Sequence, residues 1–120
     1  MATPGVSSGT GATDPRVVHS PELGRYELLA GDGGQLLGFS EYLPAGPSVI
    51  VAHTEITGGR EGQGLGAELV RGTLDAIRAS GKTVIPTCPF TAAYIHRHPD
   101  EYADLVDPSM RGQFQRPGGP

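Results

Sequence analysis

Thr54-Glu55-Ile56-Thr57-Gly58-Gly59-Arg60-Glu61-Gly62-Gln63-Gly64-Leu65-Gly66 runs from an extended segment through a glycine-rich loop into an amphipathic helix. Glycine lets a backbone turn sharply and approach a ligand closely. The unpaired amides and positive dipole end of the following helix attract phosphate oxygens. The segment therefore reads as an anion cradle between a strand and a helix. It lacks the Gly-Lys-Ser/Thr ending that gives a P-loop its lysine and its magnesium-binding hydroxyl. Gly62-x-Gly64-x-Gly66 is also wrongly spaced for a dinucleotide fingerprint, and the chain has little room for the βαβαβ half that such a fold needs.

Upstream of the cradle, Arg25 to Ala30 alternates, with Tyr26, Leu28 and Ala30 on one side, and Gly31-Asp32-Gly33-Gly34 supplies a hairpin turn. The return strand, Gln35 to Leu43, sets Leu37, Phe39 and Leu43 on one face and ends at Pro44-Ala45-Gly46-Pro47. A third strand, Ser48 to Ile56, is apolar or β-branched as far as His53, which predicts a central strand covered on both sides. Downstream the period lengthens. Leu65, Leu69, Val70, Leu74 and Ile77 form one stripe of a helix from Gly62 to Ser80, with Gly81 at its C-terminal cap. Gly72, in mid-helix, costs about 1 kcal/mol against Ala and marks a close approach to the sheet. Lys82 to Thr87 returns as a strand parallel to the one ending at Ile56, and Thr91 to His98 is a short helix stopped by Pro99. The fold class is α/β, a mixed central sheet in the order β-β-β-α-β-α.

The 120 residues suit one domain with a modest core. Met1 to Asp14 is Gly, Ser, Thr, Ala and Pro with one large apolar residue, Val6, and buries too little to fold. We divide the chain into a flexible tail (1–20), a folded domain (21–108) and a second flexible tail (109–120). The amino end has neither the basic start nor the apolar run of an export signal, and no stretch reaches membrane-spanning length. The single cysteine excludes an internal disulfide and suits a reducing compartment. The sequence thus predicts a cytoplasmic protein with no membrane partner. A net charge of −4 without a Lys/Arg cluster argues against a nucleic-acid partner. His96-x-His98 lies two apart on a predicted helix, where side chains do not share a face, so no metal site is expected.

Glu61-Gly62-Gln63-Gly64-Leu65-Gly66 resembles the acetyl-CoA pyrophosphate loop, Gln/Arg-x-x-Gly-x-Gly/Ala, of the GCN5-related N-acetyltransferases (GNAT family), departing from it in Glu61. Val84-Ile85-Pro86-Thr87-Cys88-Pro89-Phe90 and Tyr94-Ile95-x-Arg97-His98-Pro99, with His53-Thr54-Glu55, are similar to the small single-domain members. The resemblance spans Arg25 to Val106 and implies a minimal version of the fold, without the helical pair that larger members insert after their first strand. That leaves the acceptor side open.

The implied activity is acetyl-CoA-dependent N-acetylation of an unidentified amine. The alternative is a CoA or acyl-CoA binding module with little turnover. Backbone groups of Ile56 and Thr57 would pair with the pantetheine arm, and Glu61, Gly62, Gln63, Gly64, Leu65, Gly66 and Ala67 would surround the pyrophosphate. Cys88 would sit near the acetyl group, either as a nucleophile that carries it briefly or as pocket lining while the amine attacks directly. His53 and Glu55 alternate onto one face of their strand, where either suits the role of base toward an ammonium substrate, Glu55 the better of the two; a half-buried polar pair that orders the strand is the other reading. Tyr94 is the candidate to protonate the departing thiolate or touch the pantetheine, and Arg97 and His98 the candidates for a CoA phosphate or the acceptor.

Overall fold

The computed structural model describes residues 14–31, 34–57 and 64–114. Five strands form one sheet in sequence order: β1 (Arg16–Ser20), β2 (Arg25–Leu29), β3 (Leu36–Ala45), β4 (Ser48–Ile56) and β5 (Thr83–Pro86). The first three pairings are antiparallel, and β4 pairs with β5 in parallel from Ser48↔Thr83 to Val51↔Pro86. Helix α1 (Leu65–Ala79) makes the crossover between β4 and β5, and α2 (Pro89–Arg97) and α3 (Pro99–Tyr102) follow. The predicted order β-β-β-α-β-α is present, preceded by an additional strand. Among the described residues no helix is long and apolar enough to cross a membrane.

That additional strand corrects the sequence reading. Arg16–Ser20, assigned above to a flexible tail, is β1, paired along its whole length with β2. Its alternation is weak, but Val17 turns inward against Gly72 of α1, where a Cβ would overlap the valine side chain. The close approach expected at Gly72 is therefore to β1. Only the turn Pro21–Leu23 and Gly24 separate β1 from β2, so no helical pair follows the first strand. At the other end, Arg111–Gln113 forms a 3₁₀ turn, and Phe114 is buried with its ring stacked on His96 at 4.3 Å. The expected tail from 109 is thus packed as far as Phe114.

Two bulges break the simple alternation. In β3 the register shifts opposite Leu28/Leu29, and Leu37, expected to share a face with Phe39, buries with Leu28 and Leu69 instead. In β4, Val51 pairs with Tyr42 and His53 with Glu41, which leaves Ala52 as an extra residue. Before the bulge Val49 and Val51 face the helices, in a cluster with Val70, Leu74 and Ile77. After it, Ile56 packs beside Leu65 on the helix side while His53 and Glu55 are exposed. The helices pack together: the Tyr102 hydroxyl donates to Asp75 of α1 at 2.7 Å, and Arg78 of α1 reaches Asp104. Among the described residues nothing covers the opposite sheet face, so β4 is not covered on both sides as predicted.

A polar lock closes the lower end of the β4/β5 pair. Ser48 donates to Asp107 Oδ1 at 2.6 Å, and the Ser109 hydroxyl and amide donate to Oδ2. These bonds, the Ser109 hydroxyl first and then that of Ser48, hold the Asp107 carboxyl below the usual carboxylate range. A lowered folded pKa contributes stability above the unfolded value of about 4 and loses it as pH falls through the folded value. Denaturant midpoints are expected to drop across that acid window, and Asp107→Asn should flatten the drop, leaving the share due to Asp104, which Arg78 also holds low. An unchanged acid profile in the variant would rule out this role for Asp107.

Candidate active site

Parallel pairing between β4 and β5 stops at Val51↔Pro86, yet β4 runs on to Ile56. The chain leaves β5 by turning away: the Cys88 amide donates to the Val51 carbonyl at 3.0 Å and the Thr87 hydroxyl donates to the same carbonyl at 3.2 Å. Beyond that point the two strands part, and among the described residues the upper half of β4 has no strand partner on that edge. Thr57 is not on it, because its amide donates to Leu37 at 2.9 Å and its hydroxyl to Leu36 at 3.1 Å, both in β3. Strand geometry alternates the direction of backbone groups, so those of Ile56 and Thr54 face the gap. Of the expected pair, Thr57 turns its donors to β3 and Ile56 faces the gap, without a backbone partner there among the described residues.

The first turn of α1 lies at the mouth of this gap. Gly64 takes a left-handed conformation (φ 78°, ψ 3°), provides no side-chain cap, and accepts the first helical bond from Glu68 at 3.2 Å. The amides of Leu65, Gly66 and Ala67 have no partner within the helix, as in any uncapped first turn. Glu61, Gly62 and Gln63, the other candidates of the loop, lie outside the described residues. Gly66 has a second reason to be glycine, since a Cβ there would overlap the ring of Phe90 at the start of α2. Phe90 remains 39% exposed across this junction. The amino ends of α1 and α2 thus meet at one place.

Cys88 is the N-cap residue of α2 and is 4% exposed. Burial pushes its thiol pKa up, but the amide of Thr91, the hydroxyl of Thr54, the amide of Phe90 and the hydroxyl of Thr91 favour the thiolate. Together they outweigh burial, and the thiol titrates below its ordinary value. The buried Thr91 hydroxyl has no regular hydrogen-bond partner, so it acts on the sulfur as a nearby dipole. Thr54 is also hydrogen-bonded to the buried Ser40 hydroxyl at 2.6 Å. Thr54→Val is expected to raise the thiol pKa and to cost about 1–3 kcal/mol by leaving the Ser40 hydroxyl unpaired. With one cysteine in the chain, ultraviolet thiolate absorbance against pH reads the effect directly. An unmoved titration would mean that Thr54 does not act on the sulfur.

His53 and Glu55 meet on the open face, His53 Nε2 lying 3.1 Å from Glu55 Oε1, with both side chains about half exposed (54% and 55%). They are therefore on the other side of β4 from Thr54 and the sulfur. Tyr94 is buried on α2, with its ring 4.4 Å from that of His98 and 5.9 Å from that of Tyr102. Burial raises its pKa, Arg71 of α1 partly opposes this, and the phenol stays protonated at neutral pH. Tyr94 and Cys88 share one apolar cluster, but six positions on a helix set them roughly 120° apart around its axis. Arg97 is exposed, while His98 is engaged by Tyr94 and by Glu101, 3.6 Å away. His96 and His98 thus face different neighbours.

Sequence reasoning missed Ser40, Thr54 and Thr91, the three hydroxyls gathered near Cys88. A signal for Thr54 was present, since a residue between His53 and Glu55 must face the opposite way.

A sequence model of the GCN5-related N-acetyl-transferase family matches residues 25–105. No curated protein sequence matches the chain significantly. Among solved structures, the NMR solution structure of a GCN5-like protein from Staphylococcus aureus, assigned as an N-acetyltransferase, is similar with a TM-score of 0.52 at 18% identity. The match covers 80% of this chain and 89% of that one, a likeness of fold.

Proposed function

Because the chain belongs to the GCN5-related N-acetyltransferase family, we propose that it transfers the acetyl group of acetyl-CoA to a primary amine. One observation supports this reading above the others: the uncapped first turn of α1 opens onto the gap where β4 and β5 part beside Cys88. In this proposal the Leu65, Gly66 and Ala67 amides take pyrophosphate oxygens, together with loop residues Glu61 to Gly64. The free edge of β4 at Ile56 pairs with the pantetheine amides, and the thioester lies in the gap. Acetyl-CoA is supplied inside the cell, so the reaction is assigned to the cytoplasm.

The chemistry we propose is direct transfer. Glu55, hydrogen-bonded to His53, takes the proton of the incoming ammonium from the open face, directly or through water. The amine nitrogen then bonds to the thioester carbonyl carbon, the carbon–sulfur bond breaks and the nitrogen gives up its second proton to solvent, while the CoA thiolate leaves and takes up a proton, for which Tyr94 is the candidate donor, its phenol regaining a proton from solvent. Cys88 lines the pocket beside the reacting carbon. Most of the acceleration comes from holding a neutral amine against the thioester.

The test is titration calorimetry of acetyl-CoA into the wild type and Ala67→Glu. Ala67 is exposed in the first turn of α1, where a carboxylate suits the helix dipole and leaves folding intact. Micromolar binding that weakens at least about tenfold in the variant, at unchanged Tm, is the expected result. Absence of binding to the wild type would remove the acetyltransferase reading.

A further inference from the structure

On the open face, the turn before β2, the middle of β3 and the bulge of β4 enclose a hollow of about 410 Å³ lined by Leu23, Gly24, Glu41, Tyr42, Leu43 and Ala52. Apart from Glu41 its side chains are mainly apolar. Leu23 and Leu43 are the two most exposed large apolar side chains among the described residues, at 60% and 58%. An apolar hollow of this size matches the space that small-molecule sites enclose.

The charges around it are already divided. Arg25, across from Glu41 in the sheet, is held by Glu27 at 2.7 Å and lies over the Phe39 ring at 4.6 Å. His53, across from Glu41 on the other side, is held by Glu55. Glu41 is exposed and makes no ion pair among the described residues. Ala52 directly follows Val51, whose carbonyl receives the Cys88 amide, so the hollow ends one residue from the place where the strands part.

We propose that this hollow is the acceptor pocket, resting on the acetyltransferase reading above. We further propose that its occupant is a small primary amine carried on an apolar or aromatic body. The ammonium pairs with Glu41, and the body lies between Leu23 and Leu43. One carboxylate among leucines suits one cation: a polyamine would set its second charge against apolar surface without a partner. A lysine side chain offers the same ammonium on a thin stem and leaves the hollow partly unfilled.

Isotope-labelled wild-type protein titrated by NMR with phenethylamine, spermidine and a short lysine peptide tests the pocket without acetyl-CoA. Steady-state assays of the wild type and Glu41→Gln with phenethylamine then test its use. Phenethylamine should shift the Glu41, Leu43 and Ala52 amides, and Glu41→Gln should raise its KM about tenfold with acetyl-CoA affinity unchanged. The proposal is overturned by shifts centred on the second hollow, beside His19, Tyr26 and Lys82, by tighter binding of spermidine or the peptide, or by an unchanged KM. Saturable acetyl-CoA binding without amine shifts would sink the pocket alone. No acetyl-CoA binding would sink the transferase reading, and the acceptor role with it.

Discussion

A Gly38→Ala variant is expected to lose about 2–3 kcal/mol of stability, read as a fall of about 10–20 °C in Tm. Gly38 of β3 pairs with Leu28 on one side and Ile56 on the other. A Cβ built there would stand 2.6 Å from the Glu55 carbonyl oxygen, 2.8 Å from Ile56 Cδ1 and 3.3 Å from Ile56 Cα. The first and last of these belong to backbone, so a rotamer change cannot relieve them. β4 has to move away from β3, and with it the stretch of β4 that borders the gap. Gly112→Ala, with nothing within 4 Å of the added carbon, serves as the control and should change stability by no more than about 0.5 kcal/mol. Equal Tm values for the two variants would mean that β3 and β4 are slack at this point.

Glu55→Gln is expected to lower kcat about a hundredfold at neutral pH while leaving acetyl-CoA affinity unchanged. An aliphatic ammonium has a pKa near 10, so at neutral pH nearly all of the acceptor arrives protonated and a base is needed. As pH rises toward that value the acceptor arrives neutral, and the deficit of the variant should shrink. The side chain is half exposed and its partner is His53, so loss of the carboxylate disturbs no buried contact. A deficit that stays constant across pH would assign Glu55 to positioning. No deficit would leave the pair as a surface contact that orders the strand.

The glycine-rich loop, the apolar stripe of α1 and the parallel return strand were legible because each is a local pattern: turn chemistry, a period near 3.6 and a β-branched run. The pairing of His53 with Glu55 was legible for the same reason, as residues two apart on a strand share a face. What escaped the sequence depended on distant partners. Arg16–Ser20 is a strand because Gly72, more than fifty positions later, leaves room for Val17, and its own composition says little. The Phe114 ring is stacked on His96, eighteen positions earlier, a contact that its flanking sequence does not announce. The hydroxyls around Cys88 come from β3, β4 and α2, and no spacing rule connects them. Thr57 looked available until the β3 carbonyls that take its donors were known.

Ala52 gives β4 a parity. Counted from Val49, every second side chain would meet the helices to the end of the strand, and His53 and Glu55 would then be inside with Thr54 outside. The one supernumerary residue inverts that count halfway along. Deleting Ala52 would remove the bulge and the extra position together, leaving Thr54 on the side of the sulfur; drawing Ala52 into the regular ladder is what would exchange the two sides, carrying the Thr54 hydroxyl away from the sulfur and turning a carboxylate and an imidazole into the apolar layer. The division of labour between the two faces of this sheet is thus stored in one irregular backbone step, and whether an alanine with no reactive group stays out of the ladder decides which residues are chemistry and which are core.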